Sequence, residues 1–224
     1  MKYVMKAVNA LIAAAIFPAA YFLDLIFIQI GTNKSAQWIV QLFSPDSPGI
    51  GVEEALSINE IVQILKGDHI YSNIYNNISM SGSFSWPEAL NPLKTRLIVT
   101  VVCFVLCLLI ALFIIVWSIC SSKKLPVAIA AGAGLISAIT MISCFNSAAA
   151  VLTSDQIPMT SIFDTTDNVI GNLLVGFIGV DTLMLGGFHS AFVIVFVCIL
   201  VWTGAFAIVE IGEDKETKVK KVKH

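Results

Sequence analysis

Four blocks of this chain, residues 4–30, 97–120, 125–153 and 183–211, are each more than 20 residues long and almost wholly apolar. The only ionised side chains in them are Lys6, Asp24 and Glu210. At about 1.5 Å per residue, a helix of that length covers the ~30 Å hydrocarbon core of a bilayer. Charged residues amount to 12% of the 224, about half the share in a soluble domain, and the blocks account for the deficit. The strands of an outer-membrane barrel would read instead as short alternating segments, which the sequence lacks. The pattern predicts an all-α integral membrane protein, a single membrane domain over 1–224 with four transmembrane helices. Loops at 31–96 and 154–182 and a tail at 212–224 complete it. The first block begins like a signal peptide, with Lys2, Lys6 and small residues. Its apolar run continues ten residues past "PAA", which predicts a retained helix.

Lysine and arginine set the orientation. With the amino terminus in the cytoplasm, nine of the 13 fall inside: Lys2, Lys6, Lys123, Lys124 and five between Lys215 and Lys223. Lys34, Lys66, Lys94 and Arg96 fall outside, and the two outer loops hold ten of the 15 acids. Both termini are therefore expected in the cytoplasm, in a plasma or cytoplasmic membrane. Lys94 and Arg96, at the outer mouth of the second helix, are the discordant pair. The tail lysines, Lys215 to Lys223, either only set topology or also hold anionic lipid, at about 1 kcal/mol each. No nucleic-acid partner is expected.

In the first outer loop, "SINEIVQILKG" carries a capping box, Ser57 with Glu60, and a glycine stop at Gly67. Ile58, Ile61, Val62 and Leu65 fall on one face between them, so a short amphipathic helix is expected. Tyr71, Tyr75, Phe84 and Trp86 follow and suit an interfacial belt. In the second outer loop, residues 168–180 predict another short helix, greasy on one face and glycine-rich on the other. It is either a surface helix or a re-entrant one. The third block has a stripe of small residues, Ala130, Gly134 and Ala138. Such a stripe lets helix backbones approach closely in lipid, as the seam of the bundle or of an oligomer.

Asp24 is the residue out of place, because a charge in hydrocarbon costs at least a few kcal/mol. With a helix running to Ile30, it would lie six residues, or about 9 Å, inside the membrane. Asn146 and Cys103 fall at similar depths and His189 a little nearer the surface. Asp24, Asn146, His189 and Cys103 are thus predicted to form one intramembrane layer turned towards the bundle. Either Asp24 bonds to Asn146 and sets helix register, worth ~0.6–2 kcal/mol, or the layer lines a wet vestibule where Asp24 takes a cation or relays a proton. Pro18 is placed to bend the helix nearby.

The five cysteines, Cys103, Cys107, Cys120, Cys144 and Cys198, all fall in the blocks. Cys103 and Cys107 share a helix face, but no third ligand lies near in sequence, so neither metal nor cofactor is expected. Phosphate-binding and hydrolase motifs are absent, and no enzymatic activity is expected. In layout the chain resembles claudin-like four-span proteins and large-pore channel subunits of the connexin and innexin type. The claudin W…GLW…C…C motif and the loop cysteines of both groups are missing here, so the resemblance assigns no residue a role. The expected function is that of an accessory or structural subunit, bound to other membrane subunits or to itself through the third helix and the first outer loop. The alternative is a small ion channel or transporter subunit with Asp24 at its ion or proton site.

Two modifications follow if the host is eukaryotic: acylation of Cys120, beside "SSKK", and glycosylation of Asn77 in "NIS". Intact mass of the purified protein tests both. An acyl adduct lost in Cys120→Ser and a glycan lost in Asn77→Gln are the expected results.

Overall fold

The computed structural model describes residues 2–32, 52–67, 91–153 and 178–222. In chain order the elements are α1 (Lys2–Ala14), α2 (Ile16–Phe22), β1 (Asp24–Thr32), β2 (Val52–Ser57), α3 (Ile58–Lys66), α4 (Asn91–Cys120), α5 (Leu125–Leu152), β3 (Ile178–Leu185) and α6 (Phe188–Val222). Four stretches are long and apolar enough to cross a membrane: Val4–Phe22, Leu93–Cys120, Leu125–Leu152 and Phe188–Ile208. Of the most apolar 18-residue window in each span, only 28–33% is buried within the protein. The remainder is apolar surface such as Leu109, Ile136, Ile194 and Val201, which needs lipid rather than water around it. The protein is membrane-embedded.

The first span is interrupted between α1 and α2. Pro18 has no N–H, and its ring crowds the carbonyl one turn earlier, at Ala14. The chain opens there: the Ala15 N–H is shared between the carbonyls of Leu11 and Ile12, both at 3.2 Å.

Two expected helix boundaries are corrected. The first helix ends at Phe22 rather than Ile30, and the fourth begins at Phe188 rather than Leu183. The residues removed from them belong to strands, so the fold is mostly helical with a small sheet, not all-α. "LIFIQI" in β1 is dominated by β-branched and aromatic side chains, which favour strands. A short apolar run serves equally as the end of a helix or as a strand flanked on both sides, and hydropathy does not separate the two. The helix expected at 168–180 is a strand from Ile178 onward, and its residues 168–177 lie outside the described residues. α4 starts six residues before the expected 97, whereas α5 ends within one residue of the expected 153.

The chain divides into two compact units. One comprises Ala20–Thr100 and Ile142–Gly187. Its sheet has the order β2-β1-β3, with β1 antiparallel to both neighbours. Leu25 of β1 is an extra residue against β2, and Asp181 of β3 is an extra residue against β1; such bulges bend and twist a strand. Ser57 ends β2 and caps α3. Its Oγ accepts from the Glu60 N–H at 3.2 Å, while a Glu60 carboxylate oxygen accepts from the Ser57 N–H at 2.6 Å. This is the reciprocal box expected from "SINE". Gly67 follows α3 at φ +90°, a region that favours glycine. Arg96 on α4 donates to the Ser147 carbonyl of α5 at 2.8 Å, so this discordant cation ties two helices together.

The other unit comprises Met1–Ala19, Val101–Met141 and Phe188–His224. Its buried positions recur every three or four residues: Cys107, Ala111, Ile114 and Ser118 on α4; Ala131, Gly134, Ala138 and Met141 on α5; Phe188, Phe192, Phe196, Ile199 and Thr203 on α6. Phe104, Phe188 and Phe192 form a triad of rings with centroids 5.4–5.7 Å apart, in the range of favourable aromatic pairs.

Gly186 closes the sheet unit where β3 ends. Its N–H bonds to the Leu25 carbonyl at 3.0 Å, and an added Cβ would collide with the backbone of Asp24. Backbone has no rotamer with which to retreat. Gly186→Ala is expected to lower stability by about 1–3 kcal/mol, seen as a lower thermal midpoint in detergent. Gly187→Ala is the control, since its Cβ would meet nothing within 4 Å. Equal midpoints for the two variants would contradict the close approach.

Candidate functional site

The intramembrane layer expected of Asp24, Asn146, His189 and Cys103 is not built as predicted. Depth was counted from a helix end at Ile30, and the helix ends at Phe22, so Asp24 opens a strand instead. Asp24 and Asn146 are both exposed. Among the described residues no hydrogen bond joins their side chains. His189 is half-buried, its Nε2 3.3 Å from the Ser190 hydroxyl. Cys103 is buried, and the neighbouring Cys107 thiol lies 3.7 Å from the Gly134 carbonyl, a distance suited to a weak S–H donor. Among the described residues, His, Cys, Asp and Glu side chains nowhere gather in a group of three that could hold a metal.

The small-residue stripe lies at a seam inside the helical unit. Gly134 and Ala138 are buried and Ala130 half-buried. A Cβ on Gly134 would come within 2.5–2.7 Å of the Phe196 ring. The missing side chain on α5 is the space that the aromatic ring of α6 fills. Larger residues of α5, Ile129, Ile136 and Ile139, are more than half exposed. Cys120 is exposed at the end of α4. Asn77 lies outside the described residues. Lys215 to Lys221 lie in the last turns of α6, and Lys223 is outside the described residues.

Sequence reasoning passed over one polar site. It lies in the helical unit, where α1, the end of α4 and the start of α5 meet. "SSKK" links α4 to α5 through a tight set of bonds. The Ser121 N–H reaches the Trp117 carbonyl at 2.8 Å, Ser121 Oγ accepts from the Lys123 N–H at 3.2 Å, and Trp117 Nε1–H donates to the Lys123 carbonyl at 3.2 Å. Lys6, one helical turn before Asn9, donates from Nζ to the Ile119 carbonyl at 3.4 Å, at the carbonyl-rich end of α4 where a cation is favoured. Between these elements is a partly open recess of about 20 Å³, lined by Lys6, Asn9, Ser118, Ser121, Lys123 and Lys124 among others. Asn9 and Ser118 are 5% and 3% exposed, and among the described residues neither Asn9 Oδ1 nor Ser118 Oγ has a hydrogen-bond partner. The available signal was the spacing of Lys6 and Asn9 on one helix face together with the lysine pair closing the next hairpin. Hydropathy weighs each block as a whole and passes over single polar residues near its ends.

No protein-family model matches the chain, and neither a curated protein nor a solved structure matches it.

The Gly134–Phe196 seam is tested by a double-mutant cycle in detergent. Gly134→Ala is expected to cost about 1–3 kcal/mol in the native background and clearly less in Phe196→Leu, where the ring has gone. Strictly additive effects would mean the two positions do not touch.

Proposed function

We propose that this is a non-enzymatic membrane protein that works through contacts, as an accessory or structural subunit, with the sheet unit offering the recognition surface. The observation that carries this reading is the filling of the helical unit. Phe188, Phe192, Phe196, Ile114, Met141 and Ile199 are at most 1% exposed, and the buried Thr203 hydroxyl is spent on the Ile199 carbonyl of its own helix at 2.6 Å. A transport path needs polar groups facing water along the spans, whereas an anchor needs dense packing. Asp24 opens β1 rather than lying inside a spanning helix, which favours the same side.

The positive-inside bias puts the sheet unit on the outer side of the membrane and both termini inside. With the stripe on α5 engaged by Phe196, the remaining spanning surface is apolar and suits lipid or the flank of another subunit. An extended partner segment would add to the sheet through β2 or β3, which among the described residues pair only with β1.

Extraction from native membranes in a mild detergent, followed by cross-linking and mass spectrometry, tests the reading. A stoichiometric partner or second copy, cross-linked through residues 24–67 or 178–187, is the expected result. A lone chain that conducts ions in liposomes, with flux abolished by Asp24→Asn, would overturn it in favour of the channel alternative.

A further inference from the structure

We propose that the helical unit binds one anionic phospholipid with a hydroxylated headgroup. Its polar end occupies the recess at Lys6, Asn9 and Ser118, and one acyl chain lies in the groove between α1 and α6. The first support is charge. Three lysines, Lys6, Lys123 and Lys124, line the recess, and among the described residues no carboxylate does. The recess also meets the start of α5, the positive end of that helix. A phosphate accepts hydrogen bonds from several ammonium groups at once.

The second support is the pair of unused polar atoms. Leaving a buried polar group unpaired costs about 1–3 kcal/mol, and here two of them, Asn9 Oδ1 and Ser118 Oγ, line one recess. A single hydroxyl can donate to one and accept from the other. The inner part of the recess, about 20 Å³, has room for about one water-sized group. A phosphate is too large to enter, so it stays at the lysine rim while a headgroup hydroxyl goes in. If the Asn9 amide is turned the other way, the same hydroxyl still serves, since it both donates and accepts. A glycerol or inositol headgroup has such a hydroxyl. Choline offers no donor, and serine would bring an ammonium among three lysines.

The third support is where the recess leads. The spans begin or end beside it, at Val4, Cys120 and Leu125, the level at which headgroups sit. Lys124 lines the recess and holds its Nζ 4.6 Å from the ring centroid of Phe206. Phe206 in turn lines an apolar groove of about 660 Å³, with Val8, Ile12, Val197, Val201 and Trp202 along it. Polar recess and apolar groove thus meet at the Lys124–Phe206 pair, the sequence of surfaces that a phospholipid presents. These residues are distinct from the lysines of the tail.

The full chain is reconstituted in phosphatidylcholine nanodiscs carrying phosphatidylinositol, phosphatidylglycerol or phosphatidylserine. It is then extracted in mild detergent, and the lipid retained is counted by native mass spectrometry. One phosphatidylinositol or phosphatidylglycerol per chain is expected, favoured over phosphatidylcholine and phosphatidylserine by about tenfold. Lys6→Gln with Lys123→Gln, and separately Asn9→Leu with Ser118→Ala, should each reduce retention by about tenfold. Ala205→Trp, which fills the groove, should do the same. Neutralising Lys218, Lys220, Lys221 and Lys223 should leave it unchanged. Ser118→Ala should not lower the thermal midpoint of the lipid-free protein, because the hydroxyl has no partner to lose; a purely structural serine would. Equal retention of phosphatidylcholine, retention undiminished in Asn9→Leu with Ser118→Ala, or loss confined to the tail variant would overturn the proposal. Displacement of the lipid by soluble inositol phosphate at equal concentration would assign the recess to a soluble anion and overturn it as well.

Discussion

A peptide group in hydrocarbon must find its hydrogen-bond partner within the protein, because lipid supplies none. That requirement governs both units. Helices meet it internally, and the four spanning stretches are helical throughout, apart from the break imposed by Pro18. An open sheet does not meet it. The order β2-β1-β3 leaves two outer edges among the described residues, and unpaired edge groups in lipid would each cost several kcal/mol. An open edge is therefore unfavourable in hydrocarbon, and the helical part of the first span ends at Phe22, before the strands begin. Asp24 is the first strand residue and is exposed.

Within the helical unit, shape complementarity takes the place of the hydrophobic drive that lipid removes. Gly134 on α5 leaves room that Phe196 of α6 fills, while Phe188 and Phe192 pack on Phe104 of α4. The spacing of three and four residues keeps each set on one face over several turns. The aromatic triad adds a preferred geometry to bulk contact, so the rings select one rotation of α6 over its neighbours. Polar side chains in the unit mostly bond their own helices, as Thr203, Ser137 and Thr140 do to carbonyls four residues earlier. Such bonds neutralise a hydroxyl in place without linking helices.

Asn9 and Ser118 depart from that habit. They are buried, they point into one recess, and their oxygens lack partners, where a well-packed bundle would have alanine or leucine. Polar groups kept at a cost to stability mark places where a second requirement operates. Here they sit beside three lysines at the level where the spans end. Among the described residues the sheet unit has no such deficit: its capping box, the Arg96–Ser147 bond and the Gly186 closure are all satisfied.

The sequence by itself determined that the chain carries four stretches long and apolar enough to cross a membrane, and where several local signals act. Composition and block length fix those properties irrespective of what packs on what. The capping box at Ser57 and Glu60, the stop at Gly67 and the interruption before Pro18 rest on contacts within four residues, so they too were legible. The α5 stripe was legible as a close-packing surface, but only Phe196 identifies its neighbour, some sixty residues away in the chain. The strand at Asp24–Thr32 was not legible, because its pairing partners lie at Val52–Ser57 and Ile178–Leu185. An isolated apolar run has no preference strong enough to reveal them. Tertiary structure alone decided that Asp24 begins a strand rather than lying within a spanning helix. It alone brought Lys6, Asn9, Ser118 and Lys124 to one recess, since a hydrogen-bond deficit becomes visible only when the groups that could have filled it are in place.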